Sequence, residues 1–263
     1  TPLAELEELL AEKGQYLAFE PPHFGPGATV GGCVASGLSG PRRANAGALR
    51  DFMLGIKLLD GRGEVLSFGG QVMKNVAGYD VSRLIAGSLG TLGVIAEVTL
   101  KVLPMPVAER TLCFEMDEAG ALKKLNQWGA LPLPISASFW HDGRLWLRLS
   151  GAQAAVEAAV GKLGGNATVD AQKTWISVRE QTHPAFSGEP LWRLSLPSTA
   201  PALGVDGLRA IEWGGAQRWY ANEPAAIREV AASFGGHAVL YRAPESQRCL
   251  EGAFAPLAPA LLA

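Results

Sequence analysis

The sequence predicts an α+β protein of two consecutive domains, residues 1–106 and 107–263, and three observations carry that expectation. Of the 32 glycines, 16 fall between Gly25 and Gly93, so that stretch must hold many tight turns or close backbone approaches. Pro104 and Pro106 punctuate the chain where this glycine density ends. From Val107 onward, short strands alternate with helices, as expected of an antiparallel sheet with helices on one face.

The elements follow in order. Thr1–Lys13 is expected to be a helix, with Thr1 as N-cap and Pro2 in the first turn. Leu3, Leu6, Leu9 and Leu10 recur at helical spacing, and Gly14 stops the run. Gln15–Glu20 is expected as a short strand, Pro21–Gly27 as a turn, and Ala28–Leu38 as the opening of a small-residue helix. Arg50–Leu59 alternates like a strand and enters Glu64–Phe68 through the hairpin signal Asp60-Gly61-Arg62-Gly63. Val81–Ala86 is expected as a short helix and Leu92–Val102 as an apolar strand. In the second domain, Arg110–Met116 is a strand, Glu118–Trp128 a helix, and Ile135–His141 with Arg144–Leu149 a hairpin. Ala152–Leu163 and Thr174–Thr182 are helices; Leu191–Leu196, Leu208–Trp213 and Gln217–Tyr220 are strands; Pro224–Phe234 is a helix and His237–Tyr241 the final strand.

Composition narrows the function. With 48% hydrophobic and 18% charged residues, a core forms and general disorder is disfavoured. A net charge of −2, with Lys and Arg scattered, gives no footprint for nucleic acid. No apolar stretch approaches the ~20 residues that span a bilayer. Cys33, Cys113 and Cys249 lie far apart, which fits three free thiols in a reducing cytoplasm rather than an iron–sulfur or zinc site. His23, His141, His183 and His237 also lack metal-ligand spacing, so no metal site is expected.

The common nucleotide motifs are missing. A dinucleotide fingerprint beginning at Gly25 and Gly27 meets Val30 where glycine is required, and Gly161-Lys162 is followed by Leu163 rather than Ser or Thr. There is no Gly-x-Ser-x-Gly elbow. Three segments remain. In Ala28–Gly40, Gly31 and Gly32 let backbone N–H groups face an anion, and Thr29 and Ser36 add hydroxyls; a glycine-rich helix packed on a sheet explains the same residues. Gly47–Gly55 contains Arg50 and Asp51, a ligand pair or a solvated salt bridge. Lys74–Asp80 leads into Gly87–Ile95, where Lys74 and Tyr79 are donors for a developing oxyanion or ordinary surface and packing residues. All seven tryptophans lie in the second domain, where core and interface anchoring accounts for them.

At these segments a family resemblance becomes specific. Phe19–Pro104 resembles the second half of the FAD-binding domain shared by vanillyl-alcohol oxidase and p-cresol methylhydroxylase. Within that superfamily, Phe19-Glu20-Pro21-Pro22-His23-Phe24-Gly25, Met73–Asp80 and Trp192-Arg193-Leu194-Ser195-Leu196-Pro197 resemble the E-subunit family of bacterial glycolate oxidase. The resemblance implies the C-terminal part of a PCMH-type FAD-binding domain followed by an antiparallel-sheet cap domain. It implies FAD as cofactor, contacted by Thr29, Gly31, Gly32, Ser36 and Gly37 along the flavin and pyrophosphate and by Gly90, Gly93, Val94 and Ile95 at the adenosine end. Some relatives attach FAD through histidine, which singles out His23, although an isolated histidine in a turn is ordinarily just a hydrogen-bonded turn residue.

The resemblance also implies a chain cut short at its N-terminal end, without the Pro-x-Gly-Gly-Gly loop of relatives. It implies a D-type flavin subunit and an iron–sulfur F-type subunit as partners, and a cytoplasmic complex placed peripherally at the inner face of the membrane. The expected role is an electron-transfer subunit in oxidation of glycolate to glyoxylate, with no catalytic residue assigned. A scaffold that has lost flavin and a self-sufficient FAD-dependent 2-hydroxy-acid dehydrogenase are the alternatives.

Overall fold

The structure, a computed structural model, describes residues 1–70, 79–168, 170–221, 226–247 and 252–254. The α+β expectation holds, and the chain divides into two compact units, Thr1–Val107 with Gln172–Gln181 and Ala108–Ala171 with Thr182–Ala263. A segment from inside the second half of the sequence thus returns to the first unit.

In the first unit, the elements are α1 (Leu3–Glu12), β1 (Gln15–Tyr16), α2 (Val30–Ser36), α3 (Arg43–Ala46), α4 (Leu49–Phe52), β2 (Met53–Leu59), β3 (Val65–Gly69), α5 (Val81–Ile85), β4 (Val94–Leu100) and β5 (Leu103–Pro104). Strand β2 is the centre of an antiparallel sheet ordered β3-β2-β4, and β1 pairs with β5. The sheet's inner face, with Ile56, Leu58, Val98 and Leu100, packs against Leu3 of α1, Val30 and Val34 of α2, Phe52 of α4 and Ile85 of α5.

Three local expectations change. Pro2, not Thr1, occupies the N-cap of α1, because residues 1–3 are drawn into pairing with the chain before α2: Val30 N donates to Thr1 O (3.0 Å) and Leu3 N to Ala28 O (2.8 Å). The strand expected over Gln15–Glu20 stops after Tyr16. Leu17, Ala18 and Phe19 are all buried, so the period-two alternation is lost, and Glu20 turns with φ 49°. The first residues of the expected Arg50–Leu59 strand are helical instead. Asp51 Oδ2 accepts from Ala48 N (2.9 Å) and Ser39 Oγ from Leu49 N (3.0 Å), supplying acceptors for the start of a helical turn.

In the second unit, β6 (Ala108–Glu115), α6 (Glu118–Gly129), β7 (Ile135–His141), β8 (Arg144–Gly151), α7 (Gln153–Leu163), β9 (Asn166–Ala167), β10 (Leu191–Ser195), β11 (Leu208–Glu212), β12 (Gln217–Ala221), α9 (Ile227–Ser233) and β13 (His237–Arg242) build one antiparallel sheet. Its order is β13-β10-β12-β11-β7-β8-β6-β9. The returning helix α8 (Ala171–Arg179) runs into the first unit. Asp117 caps α6 by accepting from Gly120 N (2.8 Å). Leu145, Leu147 and Leu149 of β8 are fully buried beneath α6 and α7, and Trp192, Leu194 and Tyr220 pack with Ile227 and Ala231 of α9. Each such buried side chain contributes roughly 1.5–3 kcal/mol relative to exposure.

Arg218 is fully buried and ties the sheet to the 197–202 loop. Its Nε donates to Gly215 O (3.2 Å), Nη1 to Pro201 O (2.5 Å) and Nη2 to Ala200 O. Arg218→Met keeps the apolar stem but strands three carbonyls. We expect it to lower the free energy of unfolding by about 3 kcal/mol, measured by urea denaturation.

Candidate cofactor site

The two glycine-rich segments singled out in the sequence meet at the C-terminal end of α2. Thr29 caps the other end, its Oγ1 accepting from Gly32 N (3.0 Å). The carbonyls that α2 leaves open find donors nearby: Gly37 N donates to Cys33 O (3.0 Å), Gly87 N to Val34 O (3.0 Å) and Leu89 N to Ala35 O (2.9 Å). Gly37 closes the helix in the left-handed region at φ 64°, and a Cβ there would lie 2.8 Å from Gly87 Cα. Gly93 (φ 145°) plays a similar part at the sheet, since its Cβ would stand 2.6 Å from Leu59 O.

Beside the start of α2 opens a cleft of about 670 Å³, walled by Leu6 and Leu10 of α1, by Thr29, Val30 and Gly31, and by Ile95, Ala96, Glu97, Val98 and Leu100 of β4. It therefore gathers Thr29, Gly31 and Ile95 from the sequence-derived set. At Gly31 nothing stands within 4 Å of where a Cβ would be, so a ligand can approach the backbone closely. Gly32, Ser36, Gly37, Gly90, Gly93 and Val94 do not line the cleft. Gly32 N and Ser36 Oγ are spent within the helix, on Thr29 Oγ1 and Cys33 O (3.0 Å) respectively, Gly37 and Gly93 serve close packing, and Val94 is an exposed side chain.

The secondary candidates are also placed. His23 is held in its turn, with Nε2 2.9 Å from Glu7 Oε2, while His23 N and Phe24 N both donate to Glu180 Oε2 (2.9 and 2.8 Å). Arg50 and Asp51 form a 4.0 Å pair in solvent. Tyr79 is 96% exposed, so it is neither packed nor facing a site, and Lys74 lies outside the described residues. Cys33 and Cys113 are free; burial, then the Glu7 charge, pushes the Cys33 thiol up to about 12, which leaves it unreactive. Cys249 lies outside the described residues.

Sequence spacing missed one meeting. His141 and His183 are 42 positions apart, yet their rings stack edge to face at 5.2 Å beside Phe139 and Trp146. Burial and then the neighbouring His141 pull the His183 pKa down. No group of three or more metal-ligating side chains exists among the described residues.

Glycine turns and short helices around a three-stranded antiparallel sheet, with an open apolar cleft at a helix start, make up the first unit, and comparison with known sequences gives its class as that of FAD-binding-domain proteins. A sequence profile described as FAD binding domain matches residues 1–69. The chain is 46% identical, over 99% of its length and 73% of the relative's, to glycolate oxidase subunit GlcE of Escherichia coli (strain K12), and it belongs to the GlcE family. Shorter stretches match glycolate oxidase subunit GlcD of Bacillus subtilis (strain 168), at 38% identity over 42% of this chain and 24% of the relative. A mitochondrial D-lactate dehydrogenase [cytochrome] of Arabidopsis thaliana is 41% identical over 39% of this chain and 18% of its own length. Among solved structures, an alkyldihydroxyacetonephosphate synthase superposes with a TM-score of 0.60 at 16% identity, covering 89% of this chain and 58% of the other, which shows a shared fold.

Two outcomes test this geometry. Gly37→Ala should cost about 2 kcal/mol or more, through left-handed strain and the clash with Gly87, while Gly31→Ala should stay within about 0.5 kcal/mol of the native protein; urea unfolding reads both. A second test concerns Glu212, 4% exposed, whose Oε2 accepts from Trp219 Nε1 (2.6 Å) and Gln217 Nε2 (2.9 Å). Burial pushes its carboxyl from an ordinary 4.5 up to about 7, against the hydrogen bonds from Trp219 and Gln217. The folded protein thus holds this proton more tightly than the unfolded chain. Its stabilising contribution is complete below pH 4.5 and lost as pH rises through about 7. Glu212→Gln should flatten that part of the pH–stability curve, read as urea midpoints at several pH values between the two.

Proposed function

We propose that this chain is the FAD-binding, electron-transfer subunit of a glycolate oxidase complex that converts glycolate to glyoxylate. The observation that carries the reading is the cleft beside α2, which gathers Thr29, Gly31 and Ile95 in a protein of the GlcE family. Its residues suit a flavin nucleotide. The wall of Leu6, Leu10, Ile95 and Val98 offers flat apolar surface, Gly31 admits close backbone approach, and Thr29 fixes the helix start. The volume lies in the range of sites that enclose cofactors, roughly 300–1,000 Å³. Bound FAD supplies hydride and single-electron chemistry that no side chain can. The chain's own residues bind it, orient it and keep water from its apolar face.

In this reading Gly32, Ser36, Gly37, Gly90, Gly93 and Val94 act one step removed, by fixing the turns that present the cleft. Substrate oxidation belongs to a D-type flavin partner and onward transfer to an iron–sulfur F-type partner. Among the described residues no helix is long and apolar enough to cross a membrane. In this reading a membrane acceptor is reached peripherally, through the complex, at the inner face.

The test is the visible absorption spectrum of the protein purified with its partners and then alone. We expect flavin bands that stay with this chain and fall when Gly31 is replaced by a bulky residue, and we expect the isolated flavin-loaded chain to oxidise no glycolate. A colourless chain that still assembles would overturn the electron-transfer role and leave a scaffold. Glycolate turnover by the isolated chain would overturn the division of labour.

A further inference from the structure

Two histidines of the second unit meet on the face of its sheet opposite α6 and α7. Trp140 of β7 packs toward those helices, so strand alternation turns Phe139 and His141 to the other side. There the His183 ring stands edge-on to both, 4.8 Å from Phe139 and 5.2 Å from His141, with Trp146 of β8 at 6.4 Å. His183 precedes a single turn of 3-10 helix, Pro184–Phe186, in the stretch that leads from α8 into β10. The turn carries Phe186 into the core, where its ring packs on Phe139 (6.2 Å) and on Trp219 (5.1 Å).

Hydrogen bonding constrains the two rings differently. His183 Nδ1 caps the turn by accepting from Ala185 N (3.2 Å), so this nitrogen is unprotonated and the neutral ring carries its proton on Nε2. His141 Nδ1 donates to the Arg209 carbonyl (2.6 Å), a bond that a neutral or a charged ring makes alike. A proton added to His183 has only Nδ1 to occupy, and there it faces the Ala185 N–H. The charged neighbours do not invite it. Arg242 Nη1 donates to Phe186 O (3.0 Å), and Arg209 Nη2 lies 4.0 Å from where a Cβ on Gly188 would stand. In register across the sheet, Arg144 stands opposite His141, Glu115 opposite Arg144 and Cys113 opposite Trp146. Glu212, opposite Phe139, is engaged by Trp219 and Gln217, and Glu189, beyond the turn, is exposed. Two guanidinium groups thus adjoin the turn, whereas Glu115 is two strands from His141.

We propose that His183 is an acid-released latch: its neutral ring holds the Pro184–Phe186 turn closed, and a proton on Nδ1 frees that turn and with it the chain entering β10. The bond lost is the one from Ala185 N, and Ala185 is fully buried, so its amide finds no ready substitute in water. Burial and then the neighbouring His141 pull the His183 pKa below its ordinary 6.5, so folding favours the neutral ring. The stabilising contribution of the latch is therefore complete above pH 6.5 and is lost as pH falls below it, through the folded-state value. Glu212 acts in the opposite direction, its contribution growing on acidification, so the two effects separate by sign. The latch lies in the second unit and does not depend on flavin binding.

The test pairs hydrogen exchange with a proton titration on the full chain. Mass spectrometry of the 182–190 segment, with exchange times scaled for intrinsic rates, should show protection falling at least about threefold between about pH 7.5 and about pH 5. The His183 Cε1 proton resonance, assigned by its disappearance in His183→Asn, should titrate with a midpoint below 6.5 that coincides with this loss. His183→Asn keeps an oxygen acceptor at the cap position but cannot titrate, so its segment should stay protected at both pH values. Glu212→Gln should leave the acid release in place. In the native protein, a midpoint at or above 6.5, or protection that persists through the midpoint, overturns the proposal without reference to any variant. The same acid release in His183→Asn, or its disappearance in Glu212→Gln, overturns it as well.

Discussion

The last carbonyls of a short helix have to find donors, and those of α2 find them in the chain rather than in water. Gly37, Gly87 and Leu89 each give a backbone N–H to the helix end, and the Gly37–Gly87 approach leaves no room for a side chain at Gly37. That junction joins two segments some 50 residues apart in sequence, 28–40 and 87–95. The second of these leads directly into β4, which pairs with β2 and forms one wall of the cleft. If the junction were loose, the cleft would lose its fixed width, because α2 and β4 are its opposing sides.

The second unit solves a different problem, that of placing charge inside a sheet. Arg218 is satisfied by three loop carbonyls and so works as a brace. Glu212 is satisfied by an indole and a carboxamide, neither of them charged, and burial holds its proton against the pull of those two hydrogen bonds. These groups occupy adjacent strands, β11 and β12, yet face opposite sides of the sheet, so they do not neutralise one another. The GlcE-family segment Trp192–Pro197 runs alongside them, with Trp192 and Leu194 in the core and Arg193 on the other face.

Much of this was legible in the sequence wherever periodicity was strong. The hairpins at Asp60–Gly63 and Asp142–Gly143, helix α6 and the strands of the second unit fall within a few residues of where apolar alternation and turn residues put them. What was not legible depended on partners distant in sequence. The turn Leu49–Phe52 takes its helical form from Ser39 and Asp51, and residues 1–3 pair with 28–30 rather than capping their own helix. The meeting of His141 and His183 needs the β7 strand and the 182–190 segment to be folded first. Of the expected site residues, Thr29, Gly31 and Ile95 line the cleft, although the Thr29 hydroxyl expected to face a ligand accepts from Gly32 N instead. A glycine chosen for close packing, such as Gly37 or Gly93, looks the same in sequence as one chosen for a ligand, and only the distances separate them.

The return of α8 to the first unit has a consequence for how the chain is made. Glu180 accepts from the backbone of both His23 and Phe24, and Arg179 holds its other oxygen at 2.7 Å. A ribosome delivers these partners in strict order, and the strands β6 to β9 emerge between them. The first unit is therefore left with two open backbone donors at its turn until residue 180 clears the exit tunnel, while the strands synthesised in between can already begin to pair. Synthesis order and domain order part company here: the first unit is completed only after a large part of the second has been made.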